Sequence, residues 1–139
     1  MVEFVISAPI LLMLMIGVAE FGQAFWHYNR LTKSVEDGAR YIAGRALQGS
    51  TGVVVLSAGL QAEGRNLVVH GNVLGAGPAL LPGFTTTHVT VANGGVGDIT
   101  VTAAYPYTPV FGFVPRFFYG PSANTTGITL TAAVTMRAL

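Results

Sequence analysis

An uncharged apolar block near the start of the chain constrains the fold more than any other feature. No residue from Phe4 to Ala19 carries a charge, and a glutamate stands at each end, Glu3 and Glu20. As a helix rising about 1.5 Å per residue, the block is roughly 24 Å long, somewhat short of the approximately 30 Å hydrocarbon core of a bilayer. Continuing to Trp26 reaches spanning length but buries Glu20. We therefore predict a helix that resides in an apolar medium.

Glu20 is the residue whose burial in an apolar medium is least favourable in such a helix. A carboxylate deep in lipid costs on the order of 2 to 3 kcal/mol or more, so an acidic residue inside an apolar segment is by default a functional residue with a partner. The alternative is that Glu20 marks the membrane interface, next to Trp26 and Tyr28 in an aromatic belt. The sequence leaves both interpretations open.

Three residues weaken the apolar helix locally. Pro9 removes one backbone hydrogen bond, which predicts a kink or a locally unwound turn. Gly17 and Gly22 are further weak points, or positions where a neighbouring helix approaches closely. Small residues of this kind suit a helix that packs among other helices.

After Glu20 the pattern becomes amphipathic. Polar residues fill one side, with Lys33 and Asp37, and Glu36 and Arg40, at the i,i+4 spacing of ion pairs. Apolar residues recur in steps of three and four and predict one stripe facing a folded domain: Phe21, Ala24, Phe25, Tyr28, Leu31, Val35, Ala39, Ile42 and Ala46. We predict one helix from about Val2 to Leu47, ending near Gly49, with an apolar membrane-type segment at 1–31 and a globular domain at 32–139 that includes the second half of the helix.

The rest of the chain predicts a small α+β unit. Val53 to Val69 is either a second helix closed by Gly71 or, at its β-branched start, a strand. A glycine- and proline-rich loop, Asn72 to Gly83, follows it. Three alternating segments then predict strands, with Asn93-Gly94-Gly95 as a hairpin signal: Thr87 to Val91, Ile99 to Tyr105 and Ile128 to Met136. The predicted fold class is α+β, a long N-terminal helix packed on a three-stranded antiparallel sheet.

A long aromatic segment, Pro106 to Thr126, separates the last two predicted strands. It is rich in proline and aromatic residues, and loops of this length are usually functional or ordered by a partner. So many aromatic side chains seldom lie in free solvent, so we expect either a lid over the sheet or a contact with a neighbouring subunit. The aromatic residues are Tyr107, Phe111, Phe113, Phe117, Phe118 and Tyr119.

Several kinds of chemistry find no support in the sequence. The absence of cysteine excludes disulfides and thiolate sites, and a net charge of +1 with scattered arginines gives no basic stripe for nucleic acid. His27, His70 and His88 lack the spacing of a metal site, and no serine or carboxylate pattern suggests catalysis. We expect neither enzyme activity nor a cofactor. Asn124-Thr125-Thr126 fits the acceptor pattern for N-linked glycosylation, and the threonine clusters could take O-linked sugar.

The N-terminal motifs resemble those of a known family. Glu3-Phe4, Pro9, Glu20-Phe21-Gly22 and the run Asp37-Gly38-Ala39-Arg40-Tyr41 occur in the order and at the spacing of the TadE-like family of pilin-type proteins. About forty residues carry the resemblance strongly. The segment Thr129 to Arg137 is similar to the weaker C-terminal signature of the family.

The resemblance implies a type IV pilin-like subunit of the Tad or Flp type. Such a prepilin is inserted in the inner membrane, loses a short leader to a prepilin peptidase, and is drawn by the pilus assembly machinery into an extracellular filament of identical subunits. By motif, Glu3, Phe4, Pro9, Glu20 and Phe21 would make subunit contacts, Glu3 by pairing with the α-amino group of an adjacent copy. No basic segment precedes the apolar block, so we expect that a leader was removed or the sequence trimmed. Glu3 lies slightly closer to residue 1 than is usual in mature pilins, so either a residue or two is missing before it or Met1 belongs to a variant cleavage site.

Three other functions remain open at this point. A minor or priming pilin would share the same motifs. A monomeric membrane-anchored binding module would use its sheet and loop to recognise a ligand, and would tolerate a change at Glu3. A membrane-tethered hydrolase is disfavoured by the missing catalytic pattern.

Overall fold

A computed structural model describes residues 2–47, 53–95, 97–110 and 128–139. The elements form a long helix and a second helix packed on a three-stranded antiparallel sheet, which confirms the predicted α+β class. A short 3-10 turn, Thr86–His88, leads into the sheet. The helices and strands are α1 Val2–Ala43, α2 Ala58–His70, β1 Val89–Gly95, β2 Asp98–Tyr107 and β3 Ile128–Arg137.

Helix α1 is continuous over 42 residues and therefore about 63 Å long. It passes through Pro9 without interruption, so the expected unwound turn is wrong, whereas the expected kink stays a prediction. Proline removes one N–H from the ladder, and the turns on either side keep theirs. The helix ends at Ala43, earlier than the predicted Leu47, because Leu47 pairs instead with Val54 in an isolated β-bridge.

Helix α2 explains the ambiguity at its N-terminal side. It begins at Ala58, after Ser57, whose Oγ accepts a hydrogen bond from the Leu60 N–H at 3.2 Å. Its last residue is His70, and Gly71 caps it with a φ of 74°, in the left-handed region. Val54 is bridged to Leu47 in an extended segment. The helix and its glycine cap are confirmed, but the helix starts five residues later than predicted at Val53.

The sheet has the order β1-β2-β3, with both neighbouring pairs antiparallel. The hairpin predicted at Asn93-Gly94-Gly95 is confirmed, and Gly95 pairs with Asp98 across it. On β2 every second residue is buried against the helices: Ile99, Val101, Ala103, Tyr105 and Tyr107. This is the face predicted from the alternating pattern.

The core lies between the second half of α1, helix α2 and the sheet. Leu31, Val35 and Ile42 of α1 are fully buried there, together with Val68 of α2. The division at 31/32 stays a prediction, because α1 crosses it as one helix.

The aromatic segment starts later than predicted. Pro106 and Tyr107 belong to β2 and pair with Thr129 and Ile128 of β3. Within the described strands, the pairing of β1 with β2 extends only to Ala103 of β2. Pro106 therefore lies in a part of β2 that pairs with β3 alone, where the missing N–H of proline is tolerated. The predictions for Phe111, Phe113, Phe117, Phe118, Tyr119 and Asn124 lie outside the described residues.

Candidate assembly surface

The first half of α1 presents its apolar side chains outward. Only 6 % of its most apolar 18-residue window is buried within the chain. Residues 2–23 would extend about 33 Å, which matches the approximately 30 Å hydrocarbon core of a bilayer. The exposed large apolar residues before Glu20 are Phe4, Val5, Ile6, Ile10, Leu11, Leu12, Met13, Leu14, Met15, Ile16 and Val18. This surface needs lipid or other helices around it, because an exposed apolar surface of this extent is unfavourable in water.

The face of α1 that meets the folded domain differs from the predicted stripe. Phe21, Phe25 and Tyr28 were expected to face the domain, but they are 74 %, 57 % and 40 % exposed, so this part of the prediction is wrong. From Leu31 onward the predicted apolar positions are buried as expected. After Glu20 the helix has two apolar faces, and only the face that contains Leu31 packs on the sheet.

Three polar residues replace the expected aromatics on the buried face. Glu20, His27 and Ser34 are 6 %, 8 % and 6 % exposed, and they follow one another at intervals of seven residues. Residues seven apart lie on the same side of an α-helix, two turns away from each other. The Ser34 hydroxyl donates to the Leu31 carbonyl oxygen at 2.8 Å. The face thus carries a polar line that the hydrophobic pattern did not reveal.

His27 lies against the tyrosines at the end of β2. Its ring centroid is 5.2 Å from that of Tyr107, edge to face, and 5.8 Å from that of Tyr105. On the helix itself, Trp26 lies 5.2 Å from His27, and the Arg30 guanidinium lies 5.3 Å from the Trp26 ring centroid. Aromatic pairs at these separations contribute on the order of 0.5 to 1.5 kcal/mol beyond their buried area. His27 therefore packs α1 against the end of β2.

Tyr105 connects this contact to the loop after α2. Its hydroxyl donates to the Pro82 carbonyl oxygen at 2.9 Å, and its ring meets Phe84 edge to face. Burial raises the pKa of the Tyr105 hydroxyl from its ordinary value of 10.0. The neutral, hydrogen-bonded form is therefore the one that the fold stabilises.

The run Asp37-Gly38-Ala39-Arg40-Tyr41 contributes Gly38 and Tyr41 to the contact between the two helices. A Cβ at Gly38 would overlap Cγ2 of Val68, and a Cβ at Gly64 would overlap Ile42. The two glycines thus allow α1 and α2 to approach closely from both sides. The close packing of α2 against α1 therefore explains why position 38 in this motif is a glycine.

Tyr41 anchors the exposed edge of the same contact. Its hydroxyl donates to Oε2 of Glu63 at 2.8 Å and accepts from Nη1 of Arg45 at 2.6 Å. The hydrogen bond to Glu63 raises the pKa of the Tyr41 hydroxyl. Arg45 also lies 4.5 Å from the Tyr41 ring centroid and 3.7 Å from Oε2 of Glu63. These groups are largely exposed, so they orient the helices more than they stabilise them.

The residues proposed for subunit contacts do not converge on one site. Glu3, Phe4, Pro9 and Phe21 are exposed along α1, with positions 3 and 21 about 27 Å apart along the helix axis. Glu20 differs because its side chain is buried within the chain. Within the described ranges, no group of three or more His, Cys, Asp or Glu residues is arranged to hold a metal ion. The candidate contact residues are therefore spread along one helix and not gathered in a pocket.

Sequence reasoning missed the structural roles of His27, Ser34 and Gly64. The seven-residue spacing from Glu20 was a usable signal for the first two, because it keeps all three polar residues in phase with Leu31 on one face. No signal in the sequence distinguished Gly64, which meets Ile42, from the uncrowded glycines Gly17 and Gly22.

The architecture is a single long helix, uncovered and apolar in its first half, packed in its second half against a small α+β domain. The model of the family described as TadE-like protein matches residues 1–40. The resemblance drawn from the N-terminal motifs is thereby confirmed over this segment, where the chain is similar to pilus-associated proteins. Helix α1 is long and apolar enough to cross a membrane. The chain matches neither a curated protein nor a solved structure.

Proposed function

We propose that this protein is a structural, non-enzymatic pilin-type subunit that polymerises through α1 into an extracellular filament of the type IV kind. The observation that carries the proposal is the uncovered first half of α1, which the chain's own domain leaves exposed. Before assembly this segment resides in the inner membrane. In the filament, the same segments of other copies replace the lipid.

The energetics favour exchange of one apolar environment for another. Eleven large apolar side chains between Phe4 and Val18 are exposed. Burying each contributes about 1.5 to 3 kcal/mol, so the segment would cost roughly 15 to 30 kcal/mol in water. A helix leaving the bilayer therefore needs a comparable surface, and a bundle of identical helices supplies it. When one surface of a copy meets a different surface of the next copy, the contact is head-to-tail and gives an open helical polymer.

Glu3 is the residue proposed to set the register of the polymer. It is the acidic residue in the first turn of α1 and is exposed in the single chain. Once it enters an apolar bundle, its charge needs a partner, since an unpaired buried charge is strongly unfavourable. The α-amino group of an adjacent copy is the proposed partner, after a prepilin peptidase has removed the leader. The pilus assembly machinery would perform the extraction.

The test compares Glu3→Gln with Glu36→Gln, a loss of the same charge at an exposed position in the polar half of α1. Surface filaments are sheared from cells, counted by electron microscopy and analysed for their main protein. We expect Glu3→Gln to stay in the membrane with few filaments and Glu36→Gln to assemble normally. Normal filaments from Glu3→Gln would contradict the proposed role of Glu3.

The same experiment separates the rival functions. If the sheared filaments consist mainly of another protein and this chain is a trace component, it is a minor or priming pilin. If the chain remains in the membrane as a monomer in wild-type cells with no filament that contains it, the membrane-anchored binding module is the better interpretation.

A further inference from the structure

A line of exposed apolar side chains runs along α1 beyond the apolar block. Its members follow one another in alternating steps of three and four residues: Leu11, Leu14, Val18, Phe21, Phe25 and Tyr28. All six are at least 40 % exposed. We call this line the α1 seam. Steps that average 3.5 residues are the repeat by which two helices wrap around each other with a left-handed twist.

The far end of the seam lies beyond the reach of lipid tails. With Glu3 at one membrane surface, a hydrocarbon core of about 30 Å ends near residue 23. Phe25 and Tyr28 lie past that point, and the domain does not cover them. Arg30 lies over Trp26, on another side of the helix, so it does not cover them either. The interfacial layer accepts aromatic rings, as in the aromatic belt considered above, and it leaves both rings accessible to a second copy.

Two glycines next to the seam support the same conclusion. Gly38 and Gly64 are explained by the contact between α1 and α2, but a Cβ at Gly17 or Gly22 would meet nothing within 4 Å. A glycine inside a helix is less favourable than an alanine, because it loses more backbone freedom on folding. Gly17 and Gly22 adjoin Val18 and Phe21 of the seam. Small residues at such positions allow a second helix to approach closely.

The folded domain leaves room for that second helix. At 3.6 residues per turn, Phe21 lies roughly 100° around α1 from Glu20, which is on the domain-facing side. Six side chains that each bury on the order of 100 Å² give about 1,200 Å² over two copies, the lower end of specific interfaces.

We propose that a second copy of this chain packs its own α1 seam against this one, as a parallel helix pair formed in the membrane before filament assembly. The inference rests on the proposed function for the identity of the partner. All copies enter the membrane in the same orientation, so the seam of one copy meets the seam of the next in parallel. Phe25 of one chain then lies next to the same residue of the other.

The chain contains no cysteine, which makes disulfide cross-linking specific. Phe25→Cys is compared with Gln23→Cys, which is exposed and lies two residues away, about 200° around the helix. Both full-length variants are expressed without the assembly machinery, and membranes are oxidised and analysed on non-reducing gels. We expect at least about fivefold more disulfide-linked dimer from Phe25→Cys, because seam positions face each other in a parallel pair.

Equal cross-linking of the two variants, or none, would overturn the proposed pair and leave the seam facing lipid. A second variant, Gly22→Leu in the Phe25→Cys chain, adds bulk next to the seam and should lower the dimer severalfold. An unchanged dimer yield in this variant would overturn the close approach of the helices at Gly22.

The filament assay keeps this inference separable from the proposed function. Cells that assemble filaments of this chain while Phe25→Cys gives no dimer in membranes would sink the helix pair and leave the filament role standing. A dimer in membranes from a chain that never enters filaments would support the pair and overturn the filament role.

Discussion

Gly38 of α1 lies so close to Val68 of α2 that a Cβ at position 38 would overlap the Val68 Cγ2 atom. Val68 is fully buried, and Gly38 is buried beside it. The contact sets how closely the two helices approach each other at this point. Interiors packed to this density do not accept an added methyl group without a shift of the backbone.

Gly38→Ala is therefore expected to destabilise the protein. Overpacking costs about 1 to 3 kcal/mol, and the better helix propensity of alanine returns about 1 kcal/mol, so we expect a net loss of up to about 2 kcal/mol. The free energy of unfolding of the full chain in detergent micelles, followed by circular dichroism, measures it. The control is Gly22→Ala, where a Cβ meets nothing within 4 Å and stability should be unchanged or higher. A stabilised Gly38→Ala would show that the helices are not in close contact.

Gly64→Ala tests the other side of the same helix pair. The added Cβ would overlap Cδ1 and Cγ1 of Ile42, which is fully buried. Because Ile42→Val removes Cδ1, the double variant should be less destabilised than the sum of the single changes, by at least about 0.5 kcal/mol. The measurement is a double-mutant cycle of unfolding free energies. Strict additivity would mean that the two side chains are not coupled.

Tyr105 should make stability fall at high pH. Burial raises the pKa of its hydroxyl above 10.0, so the folded form holds the proton more tightly than the unfolded form. The resulting stability is fully present below about pH 10 and is lost as the pH rises through the folded pKa. Tyr105→Phe should cost about 1 kcal/mol at neutral pH, through loss of the bond to Pro82, and should weaken the alkaline loss.

The Tyr105 experiment is a set of denaturant titrations between pH 7 and 11. Tyr28→Phe, at a more exposed position on α1, serves as the matched control and should follow the wild-type curve. An identical alkaline loss in the wild type and in Tyr105→Phe would assign that loss to other groups.

Glu20 and Phe21 are neighbours in sequence with opposite environments, 6 % and 74 % exposed. We expect Glu20→Ala to lower the stability of the isolated subunit by about 1 to 3 kcal/mol, since it removes a buried polar group from its surroundings. Phe21→Ala should leave that stability nearly unchanged and reduce filament yield. Thermal unfolding in micelles and counts of sheared filaments provide the two readouts. An unaltered Glu20→Ala subunit that fails to form filaments would assign the carboxylate to a neighbouring copy.

Much of the domain could be predicted because its signals are local. Alternation along Ile99 to Tyr105 identified the buried face of β2, and Asn93-Gly94-Gly95 identified the hairpin. Gly71 marked the end of α2, since a left-handed cap suits glycine. Leu74 and Val53, in contrast, are apolar but exposed, and no local pattern indicates that.

The candidate assembly surface was only half predictable for a physical reason. Its apolar block follows from composition, whereas the choice between two helix faces after Glu20 depends on what lies opposite each face. The sheet ends near Tyr105 and Tyr107, and the rings of these two residues contact His27. Phe25 lies on another face of the helix and stays exposed.

The sequence by itself determined that the chain begins with a membrane-length helix, that an α+β domain follows, and that the N-terminal motifs are TadE-like. Only the tertiary structure decided that Glu20, His27 and Ser34 are buried while Phe21, Phe25 and Tyr28 are exposed. Helix periodicity gives the angle between residues around one axis, but burial depends on contacts between elements distant in sequence.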